Sequence, residues 1–88
     1  MFRMDKLIKD IVEKKVRKII NLDKNIIINN DEDLALYGMD SFLFIKLIVE
    51  IEEYYSITYP DEMLDFECIS TIRKIVDSLK KIMGKNIN

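Results

Sequence analysis

Two stretches of the chain, near its two ends, carry apolar residues at the three- and four-residue spacing of an amphipathic helix. The spacing predicts helices over residues 4–21 and 70–83, each with one apolar face and one face of charged and polar residues. Ser70 or Thr71 is expected to cap the second of these helices, and Gly84 is expected to end it. The apolar faces comprise Leu7, Ile8, Ile11, Val12, Val16, Ile19 and Ile20 in the first helix, and Ile72, Ile75, Val76, Leu79 and Met83 in the last.

The middle helix, predicted over residues 41–55, differs because it carries two apolar stripes instead of one. A helix that is apolar nearly all round is normally buried in a large protein, and 88 residues are too few to surround it. We therefore assign a core stripe and an outer stripe that is exposed to a partner; a homodimer contact or packing under a loop are the alternatives. The core stripe is Phe44, Leu47, Ile48, Ile51 and Tyr55, and the outer stripe is Phe42, Ile45 and Val49.

The connection over residues 21–40 is long for a compact domain, so it must either be functional or pack on its own apolar residues. Either Ile26 or Ile28 is expected to fill the core, and Leu34 and Leu36 to pack the loop. The acids Asp31, Glu32 and Asp33 could cap a single helical turn there.

The second connection, residues 56–69, contains a helix start, since Pro60 is followed by two acids. We expect a short helix there, with Met63, Leu64 and Phe66 as apolar contacts, and Cys68 as a small core or boundary residue. Three main helices and one short helix, without a convincing strand, predict an all-α four-helix bundle. The bundle forms a single domain, residues 1–88, which is ordered over about 4–83.

The composition argues against an enzyme. The chain has no histidine, the commonest general base and metal ligand, and its single cysteine cannot form an internal disulfide. No apolar run approaches the roughly 18 residues of a membrane span, and the N-terminal segment is charged where a signal peptide is apolar. We therefore expect a non-catalytic, cytoplasmic protein without a membrane span, and we expect it to be a monomer.

The net charge is only -2, but acidic and basic residues are unevenly distributed along the chain. Residues 1–30 hold eight bases and four acids, residues 31–67 hold eleven acids and one base, Lys46, and residues 68–88 hold five bases and one acid. An acidic middle segment repels nucleic acid and attracts basic protein partners, although an ordinary solvated surface is the alternative. The basic first helix could meet a membrane or nucleic acid, but a surface helix of a bundle is the simpler interpretation.

Ser41 opens the middle helix, where Asp40 is expected to act as the cap and Gly38 to allow a sharp turn. A phosphate ester on this serine would lie at the positive end of the helix dipole, beside unpaired N–H groups. Asp40 could also help to hold a divalent cation in a modifying enzyme. A catalytic role of Ser41 in hydrolysis is not expected, because the chain has no histidine to act as its base. The alternative to a modification site is that Asp40 and Ser41 merely cap the helix.

The motif and the elements that follow it together resemble the acyl carrier protein and peptidyl carrier protein family, over about Lys6 to Ile82. The matching residues are Gly38-Met39-Asp40-Ser41-Phe42, then Leu47, Glu52 and Tyr55, then Pro60-Asp61-Glu62 and Ser70-Thr71-Ile72. The resemblance implies a four-helix bundle in which a phosphopantetheinyl transferase moves 4'-phosphopantetheine from coenzyme A to Ser41, with Gly38 and Asp40 supporting the motif.

The same resemblance implies what the modified protein does. The terminal thiol would carry an acyl or aminoacyl group as a thioester from a loading enzyme to downstream synthase or transferase enzymes. The middle helix would be the recognition surface, and its partner-binding residues would be Phe42, Ile45, Val49 and Met39.

Three positions depart from carriers of primary fatty acid synthesis. Phe42 stands where leucine is usual, and Leu43 and Lys46 stand where acids are expected. Binding should therefore depend more on the outer stripe than on charge, which favours a free-standing carrier of a polyketide or nonribosomal peptide pathway over fatty acid synthesis. Asp40 before the serine, in place of histidine, favours acyl cargo. An unmodified helical adaptor is the alternative from another class.

Overall fold

The computed structural model describes residues 3–65 and 69–87, and the described residues contain helices and turns but no strand. The all-α bundle predicted from the sequence is confirmed. In chain order the helical elements are α1 (Arg3–Ile19), a 3₁₀ turn (Leu34–Tyr37), α2 (Ser41–Tyr55), a second 3₁₀ turn (Asp61–Met63) and α3 (Ile72–Ile87).

Helix α1 lies at the centre of the packing because it contacts both α2 and α3. The predicted core stripe of α2 is confirmed at four of its five positions, which are buried, while the fifth, Tyr55, is half-buried. Leu7, predicted to face the core, is exposed because it lies about 100° around the helix from Ile8, which is buried. The buried positions of the three helices are Ile8, Val12 and Val16; Phe44, Leu47, Ile48 and Ile51; and Ile72, Ile75, Val76, Leu79 and Ile82.

The helix ends follow from local backbone chemistry. Helices α1 and α2 are each followed by a residue in the left-handed region, Asn21 at φ 54° and Ser56 at φ 55°. The chain then turns back, so that the N–H of Leu22 donates to the carbonyl of Arg17 at 2.9 Å. The prediction that Gly84 ends the last helix was wrong, since α3 continues to Ile87. Glycine permits a left-handed end without imposing one, and inside a helix it costs only about 1 kcal/mol.

The start of α3 confirms the predicted cap, and Thr71 is the capping residue. Its hydroxyl oxygen accepts the N–H of Lys74 at 3.1 Å, and its carbonyl accepts the N–H of Ile75 at 3.0 Å. The short helix predicted after Pro60 is confirmed as the Asp61–Met63 turn. Phe66, predicted to make apolar contacts, and Cys68, predicted to be a small core or boundary residue, lie outside the described residues.

Tyr59 anchors the second connection to the core, a contact that was not predicted from the sequence. Its ring is buried and its hydroxyl lies 2.7 Å from that of Ser78, which itself donates to the carbonyl of Ile75. Burial and, to a smaller extent, the carboxylate of Glu52 raise the pKa of Tyr59 to about 12. Because Ser78 already donates its hydrogen to Ile75, the Tyr59 hydroxyl is the donor of the pair, a role that it fills only while protonated.

Candidate functional site

The segment before Ser41 is organised by the Leu34–Tyr37 turn. Asp33 caps this turn, because its carboxylate accepts the N–H of Ala35 at 2.9 Å, as predicted for the acids of this loop. Leu34 is fully buried, but Leu36 is 72% exposed, so the prediction that both leucines pack the loop was wrong for Leu36. A 3₁₀ turn repeats every three residues, so Leu34 shares its inward direction with Tyr37 and not with Leu36.

Backbone hydrogen bonds hold this loop against the beginning of α3. The N–H of Leu34 donates to the carbonyl of Ser70 at 2.8 Å, and the N–H of Arg73 donates to the carbonyl of Asn30 at 3.0 Å. The Arg73 guanidinium also pairs with the carboxylate of Asp31, and this hydrogen bond lowers the pKa of Asp31. The long connection is thus held in place by hydrogen bonds to residues about 40 positions further along the chain.

Within the loop, Tyr37 connects its two halves. The Tyr37 hydroxyl donates to the carboxylate of Glu32 and accepts the N–H of Asn29 at 3.1 Å. The hydrogen bond to Glu32 raises the pKa of Tyr37. Further back, Ile28 is the isoleucine that fills the core, whereas Ile26 is exposed, which resolves the alternative left open by the sequence.

Gly38 and Met39 form the turn between this loop and α2. Gly38 has φ 102°, a left-handed conformation that side chains rarely adopt, and its N–H donates to the carbonyl of Ala35 at 3.1 Å. Met39 was predicted to contact partners, but the structure corrects this, because its side chain is only 3% exposed. Its N–H donates to the carbonyl of Leu34 at 3.2 Å, so the turn directs Met39 into the core before the helix begins.

Ser41 is the first residue of α2 and is exposed. The capping role predicted for Asp40 is confirmed, since its carboxylate accepts the N–H of Leu43 and its carbonyl accepts the N–H of Phe44, both at 2.8 Å. The bond from Phe44 is the first regular bond of the helix, and the bond from Leu43 satisfies one of the four N–H groups that a helix start leaves without an intrahelical partner. Those of Ser41 and Phe42 remain at the open end of the helix, beside the serine hydroxyl.

The cap can be tested by paired substitutions of Asp40. We expect Asp40→Ala to lower the free energy of unfolding by about 1 kcal/mol, because Leu43 loses its acceptor. Asp40→Asn should cost no more than a few tenths of a kcal/mol, because the amide oxygen can accept the same bond. Urea unfolding of the unmodified protein measures both. Equal losses in the two variants would show that the charge of Asp40, and not its hydrogen bond, stabilises the helix.

The outer stripe of α2 is exposed, as predicted from the size of the chain. Phe42 is 68% exposed, Ile45 65% and Val49 44%. The ammonium group of Lys46 lies over the ring of Phe42, with its nitrogen 5.3 Å from the ring centre. The stripe therefore begins at the residue next to Ser41 and continues along two turns of the helix.

An apolar groove of about 170 Å³ runs along the side of α2, between the outer stripe and the second connection. It brings residues of both α2 stripes together with Leu64 and Ile69, and its one charged lining residue is Glu52 among the described residues. Sequence reasoning did not find this groove, because it depends on how the connection folds against the helix. The lining residues are Phe44, Ile45, Ile48, Val49, Glu52, Leu64 and Ile69.

No helix in the described part of the chain is both long enough and apolar enough to cross a membrane. Over the same residues, no group of three or more histidine, cysteine, aspartate or glutamate side chains could hold a metal ion.

The bundle and its exposed serine define a class of small helical domains that present a hydroxyl at a helix start, and comparison with known proteins identifies the family. The family described as "Phosphopantetheine attachment site" matches residues 10–79. An aminoacyl carrier protein of Agrobacterium fabrum (strain C58 / ATCC 33970) is 34% identical over 56 residues, which cover 64% of this chain and 68% of that protein.

An acyl carrier protein of Buchnera aphidicola subsp. Schizaphis graminum (strain Sg) is 40% identical over 70 residues, covering 75% of this chain and 86% of the relative. The family match spans most of the chain, and both relatives are covered over more than two thirds of their length. The chain belongs to the phosphopantetheine-binding carrier protein family, as the sequence resemblance indicated. Its cofactor is 4'-phosphopantetheine, and as a carrier it interacts with enzymes.

Proposed function

We propose that this protein is a carrier that bears 4'-phosphopantetheine on Ser41 and transports an acyl or aminoacyl group between partner enzymes. The observation that carries the proposal is the position of Ser41, exposed as the first residue of α2. The Asp40 carboxylate, which would otherwise repel an anion, is turned toward the N–H of Leu43. The hydroxyl is therefore accessible to a transferase.

The residues at the start of α2 suit a phosphodiester. The N–H groups of Ser41 and Phe42 lie at the open end of the helix, where the dipole favours negative charge. Gly38 has no side chain to crowd an approaching enzyme. Within the domain itself a Cβ at this position would meet no other atom, so the left-handed φ, and not lack of space, is what favours glycine here. When bound, the group supplies a terminal thiol that holds the cargo as a thioester.

We propose that the chain has no catalytic activity of its own, because it has no histidine with which to activate Ser41 or a water molecule. The chemistry then belongs to the partner enzymes: the transferase, the loading enzyme, and the synthase or transferase enzymes downstream. A cytoplasmic location and a monomeric state remain predictions from the sequence.

For the pathway, we propose biosynthesis of the polyketide or nonribosomal peptide type, supported by the large exposed Phe42 and the apolar outer stripe. Primary fatty acid synthesis is the second candidate, which the similarity to a bacterial acyl carrier protein favours. The apolar groove beside α2 supports an acyl cargo in either case, because an apolar chain gains by leaving water. The similarity to an aminoacyl carrier protein supports aminoacyl cargo as the alternative.

The attachment site is tested by incubating the protein with coenzyme A, magnesium and a broad-specificity phosphopantetheinyl transferase. We expect the intact mass to rise by one phosphopantetheinyl group in the wild type and not at all in Ser41→Ala. Ser70→Ala is a matched control that should be modified as the wild type is. Circular dichroism establishes that each variant is folded. A folded wild type without a mass increase, or a modified Ser41→Ala, would contradict the proposal.

A further inference from the structure

The acids of α2 are largely engaged by the rest of the domain. The carboxylate of Glu50 lies 3.6 Å from the ammonium of Lys15 and 3.7 Å from that of Lys18, both on α1. Glu52 accepts the N–H of Tyr59 at 2.7 Å. Glu53 is exposed, but it lies near the end of the helix, eleven residues beyond Phe42 and about 16 Å along the helix axis.

The beginning of α2 has the opposite charge. Over residues 41–48, the two turns that follow the attachment site, Lys46 is the one charged residue of the sequence. It is exposed and lies one helical turn from Phe42, and its ammonium nitrogen is 5.3 Å from the centre of the Phe42 ring. Beyond Asp40, whose carboxylate accepts the N–H of Leu43, the surface that follows Ser41 along α2 is therefore apolar with a single cation, although the segment around it is acidic.

A protein that covers Phe42 and Ile45 also removes water from the ammonium group of Lys46. Removing an ammonium from water without a compensating acceptor is unfavourable, and the ring of Phe42 offsets only part of this cost. A carboxylate on the covering protein compensates for the charge, whereas an arginine or lysine there repels it. Charge complementarity thus selects the sign of the partner surface at this point.

We propose that the phosphopantetheinyl transferase that modifies Ser41 in the native organism covers the outer stripe with an apolar surface and places a carboxylate opposite Lys46. This inference rests on the proposed attachment of the group to Ser41, and it deepens that proposal by naming the chemistry of the partner. It also revises the expectation of a basic partner, which rested on the acids of the middle segment. Among those acids, Asp31 and Glu50 pair with cations of the domain itself.

The test measures kcat/KM of the native transferase for the unmodified protein with Lys46→Glu, Lys46→Gln and Lys81→Glu. Lys81 is an exposed lysine of α3, so Lys81→Glu makes the same change in net charge away from α2. We expect Lys46→Glu to lower kcat/KM about tenfold, and Lys46→Gln to lower it less, while Lys81→Glu stays within about twofold. Raising the salt concentration should lower kcat/KM of the wild type more than that of Lys46→Gln.

The outcomes separate this inference from the attachment itself. If the wild type is modified and Lys46→Glu is modified as fast or faster, the partner surface is not acidic and the inference is wrong. Equal losses in Lys46→Glu and Lys46→Gln also overturn it, because they indicate a neutral acceptor for the ammonium. A wild type that is never modified contradicts the role of Ser41 instead. Circular dichroism spectra that match the wild type show that each variant is folded.

Discussion

Leu34→Ala is expected to lower the free energy of unfolding by about 2–5 kcal/mol, the range observed when a buried leucine leaves a cavity. Leu34 is fully buried, and its N–H donates to the carbonyl of Ser70, so the loop around it cannot collapse freely into the space. Since small domains have only about 5–15 kcal/mol of stability in total, the variant should lose a large part of it. Urea unfolding followed by circular dichroism measures the loss.

Leu36→Ala is the matched control, because it removes the same atoms from the same 3₁₀ turn. Leu36 is exposed, so its replacement should change stability by no more than about 0.5 kcal/mol. A similar loss in both variants would show that Leu36 also packs against the domain in solution. If the transferase contacts this leucine, kcat/KM for modification of Ser41 will fall in Leu36→Ala while stability does not.

The contrast between these two leucines shows where sequence reasoning reaches its limit. The three helices and their buried faces could be predicted, because a stripe repeated over four turns identifies one side of a helix. A single 3₁₀ turn has no such repetition, and Leu34 and Leu36 are equally apolar. Met39 was misassigned for the same reason, since its direction depends on the left-handed turn at Gly38.

The position of Ser41 could be predicted more fully than its surroundings. The sequence shows that Asp40 caps a helix, and the structure confirms this. The sequence does not show which charged residues form ion pairs within the domain, because the partners of Glu50 lie on another helix. The excess of acids in the middle segment suggested a basic partner, yet the one charged residue in the first two turns of α2 is Lys46.

The assignment of the two stripes of α2 leads to the largest expected contrast between variants. Ile51 is fully buried, and Ile45, on the same helix, is 65% exposed. Ile51→Asp places a carboxylate in the core without a partner, which costs several kcal/mol beyond the lost packing. We expect this variant to be unfolded at neutral pH, as measured by circular dichroism and by the loss of a cooperative melting transition.

Ile45→Asp makes the same chemical change on the outer stripe. It should keep the helical spectrum and a melting transition close to that of the wild type, because the new carboxylate stays in water. If the outer stripe is covered during modification, kcat/KM of the native transferase should fall about tenfold or more, since a charge replaces apolar contact next to Ser41. Unfolding of Ile45→Asp with a folded Ile51→Asp would mean that the two stripes are exchanged. Full activity of a folded Ile45→Asp would mean that the transferase reaches Ser41 without covering this face, so the exposed apolar surface would then need another partner.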